Sequence, residues 1–407
     1  MNSTATSPVV LGDAFIQDRH KLYARLRQDN PVCQAIMPDG LRVWLVTRYE
    51  DARAALVSPA LSKDSSKASP LHDRQERDVG TQRTFLATVL GSHMLNLDPP
   101  DHTRLRRLVS KAFTLRRVEL LRPRIEEIVA GLLNDLSSRD QVDLLDAFAF
   151  PLSATVIGEL FGAPETDRAH FRALFNSIVF GTDPDAMGKA SLAMAKYLTE
   201  LVSYKRTHPC NDLLTALVQA RDENDQLDEV ELVSMAFLIL TAGYESTGHL
   251  IGNGVVNLLN NPEQLDALRA DPTLLPAVIE ELLRYDSPGG TTTLRFTTSP
   301  LRLGEVEVPA GEFVLVMLGS VNRDHTRFDN ADQLDFGRDA GGHLAFGHGV
   351  HYCLGAPLAR LEGEIGIGRL LERFPGMVLA VEPTGLRWRN SVLFRGLETV
   401  PLKLSGN

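Results

Sequence analysis

Apolar positions recur at helical spacing along most of this chain, and the pattern predicts that helices build the bulk of the fold. The longest predicted helix covers residues 229–260, where Asp228 and Glu231 have the spacing of a capping box. At 1.5 Å per residue it would be on the order of 45 Å long, enough to cross the whole molecule. Further helices are predicted over residues 49–57, 103–112, 118–136, 167–180, 187–206, 262–270, 275–285 and 356–374.

Shorter alternating runs predict strands over residues 41–46, 293–296, 301–308 and 313–318, and a small terminal sheet over residues 378–404. The polar stretch 58–78 predicts a mobile loop, and residues 181–185 predict a flexible joint between two helices. The first ten residues are polar and predict a disordered leader. Because no repeat or linker divides the remainder, the predicted fold class is mainly α with small β-sheets, in a single domain over residues 11–407.

Composition narrows the partners and the compartment. The formal net charge is −10 among 407 residues, which disfavours general binding to nucleic acid or to an anionic membrane. The N-terminus lacks the order of a signal peptide, and the longest apolar stretch, residues 232–242, falls short of the roughly 20 residues that span a bilayer. Only three cysteines are present, without paired spacing, so we expect a cytoplasmic protein without structural disulfides.

One cysteine lies in an unusual run. Residues 346–355 read FGHGVHYCLG, so glycines surround Cys353 and a helix is predicted to begin just after it, with Pro357 in its first turn. A lone thiolate at a helix N-terminus suits a single axial ligand, which is how haem iron is held in oxygen-activating enzymes. A core cysteine in a glycine-rich turn is the alternative, and it accounts for Cys353 but not for the whole run.

The ten-residue run resembles the haem-binding signature of the cytochrome P450 family. The resemblance extends from about Leu11 to Leu404, to the soluble bacterial type and especially to actinobacterial enzymes that tailor macrolides and polyketides. It implies an α-rich triangular prism that holds haem b between the long central helix and the cysteine-bearing helix. It further implies O₂ as co-substrate, electrons from a ferredoxin and its NAD(P)H-dependent reductase, and a monomer that hydroxylates or epoxidises a large hydrophobic natural product.

The resemblance also implies a set of haem contacts. Four of them, at positions 102, 106, 295 and 351, match the ligands of the two haem propionates, although each taken alone would be read as a surface charge. The implied contacts are His102, Arg106, Ala242, Gly243, Arg295, Phe346, Gly347, His351, Cys353 as the iron ligand, and Gly355.

Residues 242–247, AGYEST, resemble the oxygen-activation motif of the family. A mid-helix glycine costs about 1 kcal/mol relative to alanine, so Gly243 suggests that the haem and O₂ approach the backbone there. Glu245 and Ser246 would relay protons to O₂, with Thr247 as an alternative hydroxyl because the family usually has threonine where this chain has Ser246. The structural alternatives are hydroxyl bonds to helix carbonyls and an internal hydrogen bond for Glu245.

Two further charged groups have implied roles. Glu281 and Arg284 lie three residues apart on one predicted helix face, and by resemblance they form a buried structural pair that Arg323 joins. Arg104, Arg107 and Lys111 form either a solvated helix face or a basic patch that docks an acidic ferredoxin.

A substrate pocket is implied by resemblance alone. The adjacent glycines at 289 and 290 suggest room for a large substrate with several oxygen functions. Terpenoids, steroids and fatty acids are alternative substrates, and a haem-thiolate gas sensor or an isomerase that does not use O₂ is an alternative function. The implied lining residues are Leu90, Met94, Ile178, Val179, Ala242, Gly289, Gly290, Thr291, Val392, Leu393 and Phe394.

Overall fold

Helices dominate the computed structural model, which describes residues 8–79, 88–181, 183–222 and 225–405. The prediction of a mainly α fold with small sheets is confirmed. The α-helices, in chain order, are α1 (Asp13–Gln17), α2 (Arg19–Asp29), α3 (Tyr49–Val57), α4 (Ser65–Val79), α5 (Thr88–Gly91), α6 (Asp101–Ala112), α7 (Leu115–Glu119), α8 (Arg122–Leu136), α9 (Phe150–Phe161), α10 (Arg168–Phe180), α11 (Pro184–Thr207), α12 (Leu213–Gln219), α13 (Glu229–Leu259), α14 (Pro262–Ala270), α15 (Leu275–Tyr285), α16 (Leu318–Val321) and α17 (Ala356–Arg373).

The strands are short and form four separate sheets. In chain order they are β1 (Val9–Val10), β2 (Val32–Ile36), β3 (Arg42–Val46), β4 (Leu61–Ser62), β5 (Gln141–Asp143), β6 (Arg221–Asp222), β7 (Asp225–Gln226), β8 (Arg295–Thr297), β9 (Leu301–Leu303), β10 (Val306–Val308), β11 (Phe313–Val316), β12 (Val378–Leu379) and β13 (Pro401–Lys403). The largest sheet has the order β1-β2-β3-β11-β8-β4. Within it β3 pairs with β11 in parallel, whereas β2 pairs with β3 and β8 with β11 antiparallel.

The central helix α13 begins where the sequence predicts. Asp228 Oδ1 accepts from the Glu231 N–H at 2.8 Å, and Glu231 Oε2 accepts from the Asp228 N–H at 2.9 Å, which completes the capping box. Its 31 residues give a length of about 46 Å. Helix α13 packs against α9, α17 and α11, so it forms the axis of the helical core.

The prediction of a mobile loop over residues 58–78 is wrong, because β4 and α4 account for most of these residues. The helix is polar in sequence but is held by tertiary contacts. Gln75 Oε1 accepts from the backbone N–H of Arg42 at 2.7 Å, and Gln75 Nε2 donates to the Arg42 carbonyl at 2.9 Å. Ala68 is buried on the same face. These contacts with the first residue of β3 override a local pattern that lacks apolar periodicity.

Three smaller expectations need adjustment. The leader predicted over residues 1–10 ends earlier, since Val9 and Val10 pair in parallel with β2, and residues 1–7 lie outside the described part. The joint at residues 181–185 includes Thr182, which is also outside it, and Asp183 caps α11. The terminal sheet is limited to β12 and β13, which β5 joins from far upstream. None of the described helices combines the length and apolar character that crossing a membrane requires.

Candidate functional site

The loop before α17 is shaped by backbone geometry. The Cys353 N–H donates to the Phe346 carbonyl at 2.9 Å, which closes the loop. Gly347 and Gly349 have φ values of +74° and +73°, a region that other residues rarely adopt. A Cβ at Gly349 would also lie 3.1 Å from the carbonyl oxygen of Leu56 in α3. Gly349 is therefore needed for the turn and for packing on α3.

The sulfur of Cys353 lies in a mixed electrostatic environment. Surrounding protein atoms raise the pKa of the Cys353 thiol by desolvation, although the residue keeps an exposed face. Backbone N–H groups of Gly355 and Ala356 and the guanidinium of Arg106 act in the opposite direction, because they stabilise the anion. A thiolate here would be completed by a cationic metal on its exposed side, since coordination deprotonates a thiol.

Polar side chains from four parts of the chain converge beside this loop. The rings of His102 and His351 lie 4.3 Å apart, and Arg106 Nη2 donates to the Tyr352 carbonyl at 2.7 Å. Burial, followed by the charges of Lys63, His102 and other cations, lowers the pKa of His351 to about 2, and burial with Arg106 lowers that of His102 to about 4. The structure therefore brings the propionate ligands implied by resemblance into one cluster, with both histidines neutral.

Several nitrogen atoms of this cluster are available for further hydrogen bonds. Both ring nitrogens of His102 and Nε of Arg295 are buried and have no hydrogen-bond partner among the described residues. Burial lowers the pKa of Arg295 to about 10. Because buried donors normally find acceptors, the cluster fits an anionic ligand. A sulfur donor beside a group of cations suits haem, which presents iron at its centre and carboxylates at its edge.

The glycine of the central helix has a different role from the one we predicted. A Cβ at Gly243 would lie 2.7 Å from Ile157 Cδ1 on α9, and Cβ atoms at Gly248 and Gly252 would meet Phe150 and Leu145 at 2.5 and 2.4 Å. These three glycines let α13 approach the chain on the α9 side. The interpretation of Gly243 as the point of approach for haem is corrected to one of helix packing.

The two candidate hydroxyls lie on different faces of α13. Ser246 Oγ donates to the Ala242 carbonyl at 2.7 Å, and Ala242 is exposed. Thr247 is only 3% exposed. The back-bond that we considered for Ser246 is therefore present, and Ser246 shares the open face with Ala242.

Glu245 is buried and has charged neighbours that the sequence motifs did not identify. His249 Nε2 lies 2.8 Å from Glu245 Oε1, and Arg389 Nη1 lies 3.4 Å from the same oxygen. The His249 contact does not have hydrogen-bond geometry, and Glu245 Oε2 has no partner among the described residues. His249 could have been found from its i+4 spacing, whereas nothing local marks Arg389.

Glu281 and Arg284 form a bidentate ion pair with both side chains fully buried, at 2.6 and 2.7 Å. The third charged member of the group is Arg338, whose Nε lies 3.3 Å from Glu281 Oε1. Arg323 does not contact Glu281. Its Nε donates to the Tyr285 carbonyl at 2.7 Å, and its guanidinium covers the Tyr285 ring at 3.8 Å. Arg323 therefore supports the pair through Tyr285.

A second carboxylate beneath the cysteine loop was not predicted. Glu280 accepts from Arg360 Nε at 2.5 Å and from Arg360 Nη2 at 2.9 Å, and His343 Nε2 lies 3.1 Å away. Arg360 also covers the ring of Phe346 at 4.7 Å. Burial raises the pKa of Glu280, but the hydrogen bonds from Arg360 and His343 outweigh it and lower the pKa to about 2. The group ties the start of α17 to α15.

The structure brings together part of the implied substrate pocket. The Gly290 N–H donates to the Leu393 carbonyl at 2.8 Å, and the rings of Phe180 and Phe394 lie 6.3 Å apart. Ile178, Val179, Leu393 and Phe394 are partly exposed, Met94 is buried at 8% exposure, and Leu90 is fully enclosed in the core.

The glycine pair at 289–290 does not simply create room. A Cβ at Gly290 would lie 2.4 Å from Nη1 of Arg19 and 3.1 Å from the Val392 carbonyl. The space beside Gly290 is therefore filled by a buried arginine from α2. The interpretation of this glycine as pocket space is corrected, while Gly289, with ordinary contacts beyond 3.5 Å, remains compatible with it.

One member of the candidate basic patch on α6 connects it to the central helix. Arg104 Nη2 forms an ion pair with Glu231 in the capping box of α13. Arg107 and Lys111 are both exposed. Arg104 therefore links α6 to the central helix, and Arg107 and Lys111 are the two members of the patch that lie at the surface.

Comparisons with known proteins agree with this geometry. The family model described as "Cytochrome P450" matches residues 185–383. The chain is 53% identical over 391 residues to cytochrome P450 107B1 of Saccharopolyspora erythraea, covering 96% of each chain. It is 39% identical to mycinamicin IV hydroxylase/epoxidase of Micromonospora griseorubida, covering 93% of this chain and 94% of that one. The tirandamycin C-bound P450 monooxygenase TamI superimposes with a TM-score of 0.91 at 49% identity, over 98% of this chain and 100% of that chain.

Proposed function

Because this chain belongs to the cytochrome P450 family and is a P450 monooxygenase, we propose that Cys353 provides the thiolate that would hold the iron of haem b and that the substrate is a macrolide or another large polyketide. Membership confirms the resemblance drawn from the Cys353 run and the fold that it implies. The observation that carries the proposal is Cys353 itself: the residue keeps an exposed face, two backbone N–H groups are directed at its sulfur, and buried polar groups without partners among the described residues lie alongside.

Haem iron supplies the activation of O₂ when the cofactor is bound. The chain's own residues hold and position it. Gly355 and Ala356 stabilise the sulfur anion through their N–H groups. His102, Arg106, Arg295 and His351 would bind the propionates, the histidines through ring N–H groups and the arginines through charged guanidinium groups.

Proton delivery is proposed to run along one face of the central helix. Ser246 provides the hydroxyl on the open face. Because this hydroxyl donates its hydrogen bond to the Ala242 carbonyl, the direction from which its oxygen can accept another hydrogen bond is fixed. Glu245 is the next group in the proton pathway, since it precedes Ser246 in the sequence and its carboxylate is buried. Arg389, with a side chain 22% exposed, links that carboxylate to solvent. Thr247 is enclosed and is assigned no proton transfer.

The electron donor is proposed to be a ferredoxin with its reductase, which docks near Arg107 and Lys111 on the exposed side of α6. A macrolide or polyketide substrate is favoured by the relatives that act on mycinamicin IV and bind tirandamycin C. Hydroxylation and epoxidation are both open to the site, because the substrate's pose selects between a C–H and a C=C bond.

The experiment combines spectroscopy with turnover. Purified protein should contain haem b and show the reduced-CO absorption of thiolate ligation, and Cys353→His should keep some haem but lose monooxygenase activity, because imidazole donates less electron density. Ser246→Ala serves as a control that should retain the thiolate spectrum. Retained turnover by Cys353→His would refute the assignment.

A ligand panel then tests the substrate class. Macrolactones should shift the haem spin state and yield oxygenated products with ferredoxin, reductase, NAD(P)H and O₂. A response confined to steroids, terpenoids or fatty acids would overturn the macrolide proposal. Spin-state shifts without O₂ consumption or oxygenated product would instead favour a sensor or an isomerase.

A further inference from the structure

A buried lysine next to the Cys353 site has no role in the arrangement described so far. Lys63 follows β4, and its side chain is 6% exposed. Its ammonium donates to Thr293 Oγ1, and its backbone N–H donates to Asp98 Oδ1 at 2.9 Å. Burial lowers the pKa of Lys63 well below its usual value and Arg295 lowers it further, whereas Asp98 acts the other way. A buried ammonium requires a compensating anion.

The one carboxylate of this cluster does not supply enough negative charge. Asp98 Oδ1 accepts from the backbone N–H of Lys63, and its Oδ2 accepts from the hydroxyl of Ser62, so neutral donors occupy both oxygens. Lys63 and Arg295 are two cations against this single acid, and a third cation, Arg106, also faces the Cys353 sulfur. Positive charge therefore stays uncompensated in this cluster, and the haem propionates are anions that would compensate it.

The position of Lys63 is consistent with this imbalance of charge. Thr293, whose hydroxyl accepts from the Lys63 ammonium, lies two residues before Arg295, and the charge of Lys63 also acts on His102. The ammonium is thus part of the same cluster as the four residues that the sequence associates with the propionates. We propose that Lys63 is a further haem-binding residue and that its ammonium is a counter-ion of the haem propionates. This inference rests on the proposed haem site and extends it.

The test uses the holoenzyme and three variants. Lys63→Met keeps the length of the side chain and removes the charge, and Lys63→Arg keeps the charge. Lys67→Met is the matched control, because Lys67 is exposed one turn further along and pairs with Asp64 at 2.9 Å. Haem release is followed by transfer to apomyoglobin, and the reduction potential is measured by spectroelectrochemistry.

We expect haem to leave Lys63→Met about tenfold faster than wild type. A change of this size corresponds to the loss of one charge-assisted hydrogen bond. The potential should become more negative, because a cation near the haem stabilises the electron that reduction adds. Lys63→Arg and Lys67→Met should stay close to wild type. If Lys63→Met does not accumulate as folded protein, Lys63→Gln provides the neutral variant.

A thermodynamic cycle that combines the Lys63 variants with native haem and with haem dimethyl ester distinguishes a contact with the propionates from a general structural effect. The ester lacks the propionate charges, so loss of the Lys63 charge should accelerate release of native haem but not of the ester. Equal acceleration for both haems, or release and potential identical to Lys67→Met, would overturn the inference while leaving the haem assignment intact. Wild-type protein that binds no haem would instead refute the proposed function.

Discussion

Replacing Gly243 by alanine would place a methyl group in the contact between α13 and α9. The added Cβ would lie 2.7 Å from Ile157 Cδ1 and 2.9 Å from Ile157 Cγ1, whereas ordinary contacts begin at 3.4 Å. Overpacking of a core costs roughly 1–3 kcal/mol, and alanine is favoured over glycine inside a helix by about 1 kcal/mol. We therefore expect Gly243→Ala to lower the free energy of unfolding by up to about 2 kcal/mol.

In the background of Ile157→Ala, the effect of Gly243→Ala on the free energy of unfolding should change sign. Only Cβ of residue 157 then remains near the new methyl group, at 3.4 Å. Helix propensity is left as the main effect, so Gly243→Ala should raise the free energy of unfolding by about 1 kcal/mol in that background. Urea titrations of wild type, both single variants and the double variant, followed by circular dichroism, measure the coupling.

The same four proteins test the alternative that Gly243 is required by haem. If haem approaches the backbone at this position, alanine should disturb the haem absorption spectrum in both backgrounds, and truncation of Ile157 should give no rescue. Destabilisation of equal size in both backgrounds would contradict the helix-packing explanation.

Two further predictions concern the ion pairs beneath the Cys353 loop, of which Glu281–Arg284 is buried and Glu280–Arg360 is half-buried. Arg284→Met should lower the free energy of unfolding by about 3–5 kcal/mol, because it leaves the buried Glu281 carboxylate and three backbone carbonyls without their main donor; urea denaturation measures this, and a loss below 1 kcal/mol would contradict it. The pKa of Glu280 is lowered from 4.5 to about 2, so its contribution to stability is present above pH 4.5 and is lost as the pH falls towards 2. The free energy of unfolding, measured by urea titrations across that range, should decline by a few kcal/mol in wild type and less steeply in Glu280→Gln, whereas parallel slopes would show that the Arg360 pair does not set this dependence.

Local signals predicted the elements that carry the chemistry. The capping box at Asp228 gave the start of α13, and its predicted end at residue 260 lies one residue beyond Leu259. The FGHGVHYCLG run pointed to Cys353 and to the family. Both succeed because the residues involved are close together along the chain, so spacing alone states their geometry.

Elements that depend on distant partners were missed or misread. Helix α4 has a polar sequence and is held by the bond between Gln75 and the backbone of Arg42, so its own periodicity was too weak to predict it. Gly290 suggested open space, yet the buried guanidinium of Arg19 occupies it. In both cases the deciding atom comes from a segment more than 30 residues away.

The sequence by itself determined the family, the long central helix and the cysteine that precedes α17, because each follows from a contiguous motif whose spacing carries the geometry. Only the tertiary structure decided which charges meet. Lys63, Asp98, Arg295 and His351 lie far apart along the chain, and their interaction energies depend on distance in space and on burial, neither of which residue spacing encodes. The same reason separates Ser246 from Thr247: adjacent hydroxyls on one helix differ only in the face that the packing of α13 leaves open.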